Sequence, residues 1–173
     1  MPTRHLAALV FLVTALLLSG GSALRAAYPA MDRHAVFNGA SYISVPNAAS
    51  LNGALLQTGA ISIDAWIHPT SYANYPTVVG NTWDTGYWLG LNPSGQLRFY
   101  PGSAAQYESN AAVPLNQWTH VAVTFSDKNN EVQFFINGAL DRTVSGVTTT
   151  LGTSNTDFRI GADRQGANAA YYF

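Results

Sequence analysis

An all-β fold, two antiparallel sheets packed face to face as a sandwich or jelly roll, is what this 173-residue sequence predicts. Three observations carry that expectation. Short segments alternate apolar and polar residues with a period of two, the pattern of half-buried strands, and helical periodicity is missing between them. Gly, Pro, Asn, Asp and Ser clusters separate these segments at the regular spacing of an all-β domain. Only 10% of the residues are charged, a composition that with abundant Gly, Thr, Ser and Asn suits sheets and turns.

The elements follow in order. Ala35-Val-Phe37 and Tyr42-Ile-Ser-Val45 are expected as a first pair of strands around Asn38-Gly39. Pro46 stops the second of them, since it has no N–H for a ladder. In Ile61-Ser-Ile-Asp-Ala-Trp-Ile67, Ile61, Ile63, Ala65 and Ile67 alternate against Ser62, Asp64 and Trp66. Thr77-Val-Val79 is a short strand. Gly86-Tyr-Trp-Leu-Gly-Leu91 and Gln96-Leu-Arg-Phe-Tyr100 flank Asn92-Pro-Ser-Gly95, which has Pro second and Gly fourth, as a type I turn prefers. Tyr107 to Ala111 is a weak strand. The strongest signal is Trp118-Thr-His-Val-Ala-Val-Thr-Phe125 followed by Val132-Gln-Phe-Phe-Ile136. Asn137-Gly138 then turns the chain, because both residue types tolerate positive φ, and Ala139 to Val144 returns. Asp157-Phe-Arg-Ile160 closes a set of roughly ten strands.

The N-terminus has another character. Arg4 and His5 precede the apolar run Leu6 to Leu18, and Ser19-Gly-Gly-Ser-Ala23 follows it. A basic start, a short apolar stretch and small residues beyond predict a secretory signal peptide over residues 1–23. The run is shorter than the about twenty apolar residues a membrane span needs, so no stable transmembrane span is expected. A leader over 24–34 and one domain over 35–173 complete the expected organisation. The location implied is secreted, extracellular or at the cell surface. With no cysteine, disulfides, thiolate zinc sites and thiol catalysis are excluded. Export without cysteine fits a bacterium better than an animal. A net charge of -1 leaves no basic surplus for phosphates, which argues against nucleic acid as a partner.

Four pieces in order resemble one family: Phe37 to Pro46; Ile61 to Ile67; Gly86 to Leu91 through Phe99; and Asn116 to Phe125 with Phe135-Ile-Asn-Gly138. Phe158-Arg-Ile-Gly161 adds a fifth. They are similar to laminin-G-like, concanavalin-A-like jelly-roll domains of the lectin and glucanase type, especially the pentraxin-like bacterial branch. The resemblance covers nearly everything after Met31. It departs at the end, where the family runs on into a last strand and this sequence stops at Tyr171-Tyr-Phe173. The expectation is a C-terminally incomplete domain, with an unpaired edge and an uncovered strip of core.

Chemistry is sparse. A retaining glycosidase needs two carboxylates about 5 Å apart, and Glu108 and Glu131 lie on separate segments while Asp64 stands alone. No nucleophile elbow occurs in the mature chain, and His34, His68 and His120 lack a spacing that brings two imidazoles to one metal. No enzymatic activity is expected. His120 reads as a sheet residue giving a hydrogen bond.

The resemblance implies calcium between an acidic loop before the middle strand and a second loop near the C-terminus. Its matching positions are Asp84 and Asp163, with Asn81 and Asn168 nearby. Calcium takes six to eight oxygens, more than these offer, and Arg164 adjoins Asp163; Asx turns or pairing with arginine account for both aspartates better. For ligand binding, Trp83, Tyr72 and Tyr75 fall on or near loops at one end of the sandwich, where a rigid scaffold presents contacts. Trp66, Trp88 and Trp118, embedded in strands, read as structural rings that cover a sheet's second face or a loop core. The function expected is recognition of a glycan or an extracellular protein. The alternatives are a structural or adhesive module of a larger bacterial surface protein, and the targeting domain of a polysaccharide-degrading enzyme.

Overall fold

The computed structural model describes residues 34–48, 51, 59–103, 105–165 and 168–173, the side chains of 164, 165 and 168–170 apart. The expected signal peptide and the leader up to residue 33 lie outside the described residues. Among the described residues no helix is long and apolar enough to cross a membrane.

The described residues form twelve strands: β1 (Ile43–Val45), β2 (Ala60–Ile67), β3 (Thr77–Gly80), β4 (Trp88–Leu91), β5 (Gln96–Gly102), β6 (Ala105–Ala112), β7 (Thr119–Ser126), β8 (Glu131–Ile136), β9 (Ala139–Ser145), β10 (Phe158–Ile160), β11 (Asp163–Gln165) and β12 (Asn168–Ala170). They form a six-stranded sheet in the order β1-β10-β3-β4-β5-β6, a four-stranded sheet β2-β7-β8-β9 and a small β11-β12 hairpin. Every pairing is antiparallel.

Period two decides what goes inside. On β7, Val121, Val123 and Phe125 are buried, and β8 adds Val132 and Phe134. From the other sheet Leu89, Leu91, Leu97 and Phe99 meet them, with Phe99 and Phe125 ring centroids 6.2 Å apart. Each fully buried side chain of this size contributes about 1.5–3 kcal/mol. Slipping any of these strands by one residue would turn its apolar set to solvent, so the register is fixed by the core.

Turn chemistry agrees with the sequence at two places. Asn137 and Gly138 both have positive φ, 52° and 78°, as a type I′ hairpin between Ile136 and Ala139 requires. The Asn137 backbone N–H donates to His120 O (2.7 Å), and the His120 N–H donates to Asn137 Oδ1 (3.1 Å), which locks the turn to β7. In Asn92–Gly95 the Gly95 N–H donates to Asn92 O (2.8 Å), and Asn92 Oδ1 accepts the N–H groups of Ser94 and Gln96.

Two expectations are corrected. Ala35–Phe37 is not a strand: Val36 is 76% exposed, and β1 pairs with β10 across Ile43↔Ile160 instead of with 35–37. Asn38 spends its side chain locally, accepting the Ala40 N–H (3.1 Å), so the Asn38-Gly39 turn forms without a hairpin. The β11-β12 hairpin was not expected at all, since Ala-rich 162–170 shows no alternation.

Candidate functional site

The outward face of the six-stranded sheet carries the site, and the same alternation that fills the core builds it. With Leu89 and Leu91 inward, β4 turns Trp88 and Gly90 outward. With Leu97 and Phe99 inward, β5 turns Arg98 and Tyr100 outward. The register sets Trp88 opposite Tyr100 and Gly90 opposite Arg98.

The Trp88 indole lies down on the sheet instead of standing up from it. A Cβ at Gly90 would run into the far edge of the indole, and one at Gly80 would sit 2.9 Å from its Cδ1. Two glycines are therefore the condition for this ring pose. Trp88 Nε1 donates to Thr77 Oγ1 (2.9 Å), and Trp88 is 3% exposed. Tyr100 meets the Trp88 ring edge-on at 5.6 Å and Trp83 at 5.8 Å. Trp83 reaches over from the β3–β4 loop and is 39% exposed. Tyr75, on the β2–β3 loop, covers the Arg98 guanidinium at 5.0 Å and meets Tyr171 edge-on at 6.4 Å. Together with Asp163 these side chains line a cleft of about 190 Å³.

Backbone strain concentrates here. Among the described residues, the non-glycine residues with positive φ are four asparagines, Ser103 and two tyrosines, Tyr75 (55°) and Tyr171 (53°). Asparagine visits that region readily, whereas a bulky residue there costs of order 1–3 kcal/mol. Both tyrosines line the cleft. The chain holds them through neighbouring ladder bonds, from Thr77 N–H to Tyr171 O (3.0 Å) and from Leu91 N–H to Pro76 O (2.9 Å).

Arg98 is tied down from behind. Its Nε and Nη2 donate to Glu108 Oε1 at 2.7 and 2.5 Å, and Asn92 Nδ2 donates to the same oxygen at 2.9 Å. Burial alone would raise the Glu108 pKa, but the hydrogen bonds from Asn92 and Arg98 and the charges of Arg98 and Arg142 outweigh it and hold the carboxyl below its usual range. Burial likewise opposes the Arg98 charge, and the hydrogen bond and charge of Glu108 win, raising its pKa. Arg159 is buried beside the cleft, its Nη1 donating to the Asp163 carbonyl (3.1 Å) and its guanidinium 4.9 Å over the Tyr42 ring.

Of the residues expected from sequence, the structure brings Trp83, Tyr75 and Asp163 together. Tyr72 lies elsewhere: its hydroxyl donates to Val113 O, and its ring packs against the core. Asp84 is an exposed loop residue whose Oδ1 accepts the hydroxyls of Thr82 and Thr85, an arrangement internal to its own turn. Asp163 is 1% exposed. Among the described residues no three His, Cys, Asp or Glu side chains gather where they could hold a metal. His120 Nε2 lies 3.3 Å from Asp64 Oδ2 on the outward face of the other sheet, giving the hydrogen bond expected of it.

Sequence reasoning missed Trp88, Arg98, Tyr100 and Tyr171. For the first three the signal was present. Trp88 shares its parity with Gly90, and Arg98 with Tyr100, opposite to the leucines and Phe99, so period two already puts them on the outward face. Trp88 covers the outward face of its sheet, as a structural ring was expected to, and is buried there.

The family model for laminin G domains of the concanavalin A-like lectin/glucanases superfamily matches residues 37–173. No curated protein matches the chain. Domain 4 of the extracellular arabinanase of Geobacillus stearothermophilus, solved with arabinotriose, is similar at 25% identity and TM-score 0.54, over 77% of this chain and 63% of that one. The sialidase carbohydrate-binding module of Ruminococcus gnavus, solved with sialyllactose, gives 17% identity and TM-score 0.51, over 69% of this chain and 74% of that one. Mouse laminin alpha1 domains LG4-5 give 15% and 0.51, over 76% and 34%. The last two speak for the fold alone. The chain spans under two thirds of the arabinanase domain.

Proposed function

The chain belongs to the concanavalin A-like lectin/glucanases superfamily, and from that premise we propose that it is a secreted, non-enzymatic domain that recognises glycans through the aromatic cleft on its six-stranded sheet. The observation that carries the proposal is the cleft itself: four aromatic rings and Trp88 as its floor, with Arg98 and Asp163 as the polar groups. A largely apolar lining with a few placed polar groups is how small-molecule sites orient a ligand, and aromatic rings offer apolar platforms to the C–H faces of a sugar. The arabinanase domain solved with arabinotriose, at 25% identity, supports the ligand class. Secretion is supported by the signal-peptide pattern of residues 1–23.

Absence of catalysis is part of the proposal. A glycosidase general acid needs a raised pKa, whereas Glu108 is pushed down and bound to Arg98. Calcium is left out of the recognition step, because Asp84 is not among the residues that line the cleft. The test is a glycan array followed by calorimetry on the full chain. Trp83→Ala and Tyr75→Ala are expected to weaken binding at least tenfold while the fold is kept. An array without hits sinks the reading and favours a structural or adhesive module, or a protein partner; binding lost in EDTA sinks the calcium-free version. A second reading, the targeting domain of a polysaccharide-degrading enzyme, is favoured by the likeness to one domain of an arabinanase.

A further inference from the structure

We infer that Thr156, which does not line the cleft, is a positioning residue whose hydroxyl holds the loop that carries Trp83 and thereby tunes ligand affinity. The inference rests on glycan recognition at the cleft and names a residue that regulates it. Trp83 rides on the β3–β4 loop, edge-on to Tyr100 at 5.8 Å and 39% exposed. A ring that open is not fixed by packing alone, so its place depends on the loop beneath it.

Both ends of that loop meet at Asn81, which is 2% exposed. Its N–H donates to Tyr87 O (3.2 Å), and its Oδ1 accepts the Tyr87 N–H (3.0 Å). The Asn81 carbonyl accepts the Thr156 hydroxyl. With the Thr156 proton spent there, the Ser154 hydroxyl donates to Thr156 Oγ1 (2.8 Å), and Ser154 Oγ accepts the Thr156 N–H (3.2 Å). The segment behind the loop is anchored in turn. The Gly152 N–H donates to Pro101 O (2.6 Å), one residue beyond Tyr100 on β5. A Cβ at Gly152 would stand 2.3 Å from Gly86 O and 2.4 Å from Thr85 O, so segment and loop meet backbone to backbone. The strand that supplies Tyr100 thus also braces, through 152–156, the loop that sets Trp83 against it. Removing the Thr156 hydroxyl strips a donor from a carbonyl on a buried residue, which is costly, and water replaces that donor only if the loop shifts. The penalty on binding is set by the bond that now prevents the shift, about two- to tenfold in affinity.

The test compares, in the full chain, Thr156→Val, which loses the hydroxyl, with Thr156→Ser, which keeps it. Acrylamide quenching of tryptophan fluorescence is read without sugar, and arabinotriose affinity by calorimetry. Valine is expected to raise the quenching and to weaken arabinotriose binding about two- to tenfold, and serine to leave both near the parent. In a Trp83→Phe background the effect of valine on quenching should vanish. Quenching unchanged by valine, or raised equally without Trp83, would overturn the inference, as would raised quenching at unchanged arabinotriose affinity. Should valine fail to fold, Thr156→Ala removes the same hydroxyl. The fluorescence comparison needs no sugar and decides whether Thr156 holds Trp83 even if arabinotriose does not bind, a result that counts against glycan recognition instead.

Discussion

Gly90→Ala adds one methyl group at the place where the Trp88 indole crosses β4. The far edge of that ring and the Pro76 carbonyl oxygen both occupy the space the new Cβ needs, so the indole must swing off the sheet and the backbone at Pro76 must give way. Swinging breaks the 2.9 Å bond from Nε1 to Thr77 Oγ1, whose residue is 0% exposed. Overpacking of this kind costs about 1–3 kcal/mol, and the lost hydrogen bond adds about 1 kcal/mol. A domain of this size loses about 3–5 °C in Tm per kcal/mol, so the fall should be about 6–20 °C. Differential scanning calorimetry reads the shift, near-UV circular dichroism reads the indole, and a glycan titration should lose the cleft along with its floor. The sign is itself diagnostic. With open space at Gly90, alanine would stabilise the strand by about 0.5–1 kcal/mol. A melting temperature unchanged or raised, with an unaltered near-UV spectrum, would refute the ring-on-glycine floor.

Three other perturbations test the frame around the cleft. The Glu108 pKa is lowered from its ordinary value of 4.5, so its stabilising effect is fully present above that value and is lost as pH falls through the lower folded pKa. An acid titration of the unfolding free energy should show this loss below about pH 4.5, and Glu108→Gln should flatten it; an unchanged acid limb refutes the ion pair. Asp141 accepts the backbone N–H groups of Asn110 (2.5 Å) and Ala111 (3.1 Å), tying β9 to β6. Asp141→Ala should cost about 1 kcal/mol in urea unfolding, as these exposed groups regain water. Gly138→Ala meets no neighbouring atom within 4 Å but keeps φ at 78°, so about 1–2 kcal/mol of pure backbone strain is expected from the same measurement.

The core was readable because burial and strand parity are one signal. Val121, Val123, Phe125, Val132 and Phe134 alternate without interruption, and each is buried as its parity requires. Asn137-Gly138 was readable for a local reason, since φ > 0 at two successive residues restricts the choice of side chain. What failed was local in the wrong way. Val36 and Phe37 look like strand residues, but pairing is decided by a distant partner, and β10 takes β1 instead. The site was harder still. Trp83 and Tyr75 could be found as loop aromatics, whereas Tyr72, of the same type three residues earlier, turns its hydroxyl to Val113 and becomes structural. Type and loop position are identical for both tyrosines, and only the fold separates them. Tyr171 gave no signal, because its part in the cleft depends on docking beside Thr77.

Residue choice at the strained positions bears on what the cleft is for. At Asn74, Asn116, Asn130 and Asn137 the chain needs positive φ and uses the residue that tolerates it best. Folding alone would favour asparagine or glycine at positions 75 and 171 too, since each tyrosine there costs of order 1–3 kcal/mol. Both rings are instead kept, edge-on to one another, with one of them over Arg98. A cation–π contact returns about 0.5–1 kcal/mol at such a site, and an aromatic pair a similar amount. These gains come near the strain without clearly exceeding it. The two tyrosines are therefore poorly explained as stabilisers, and what distinguishes them from asparagine is the apolar surface they present to whatever enters the cleft.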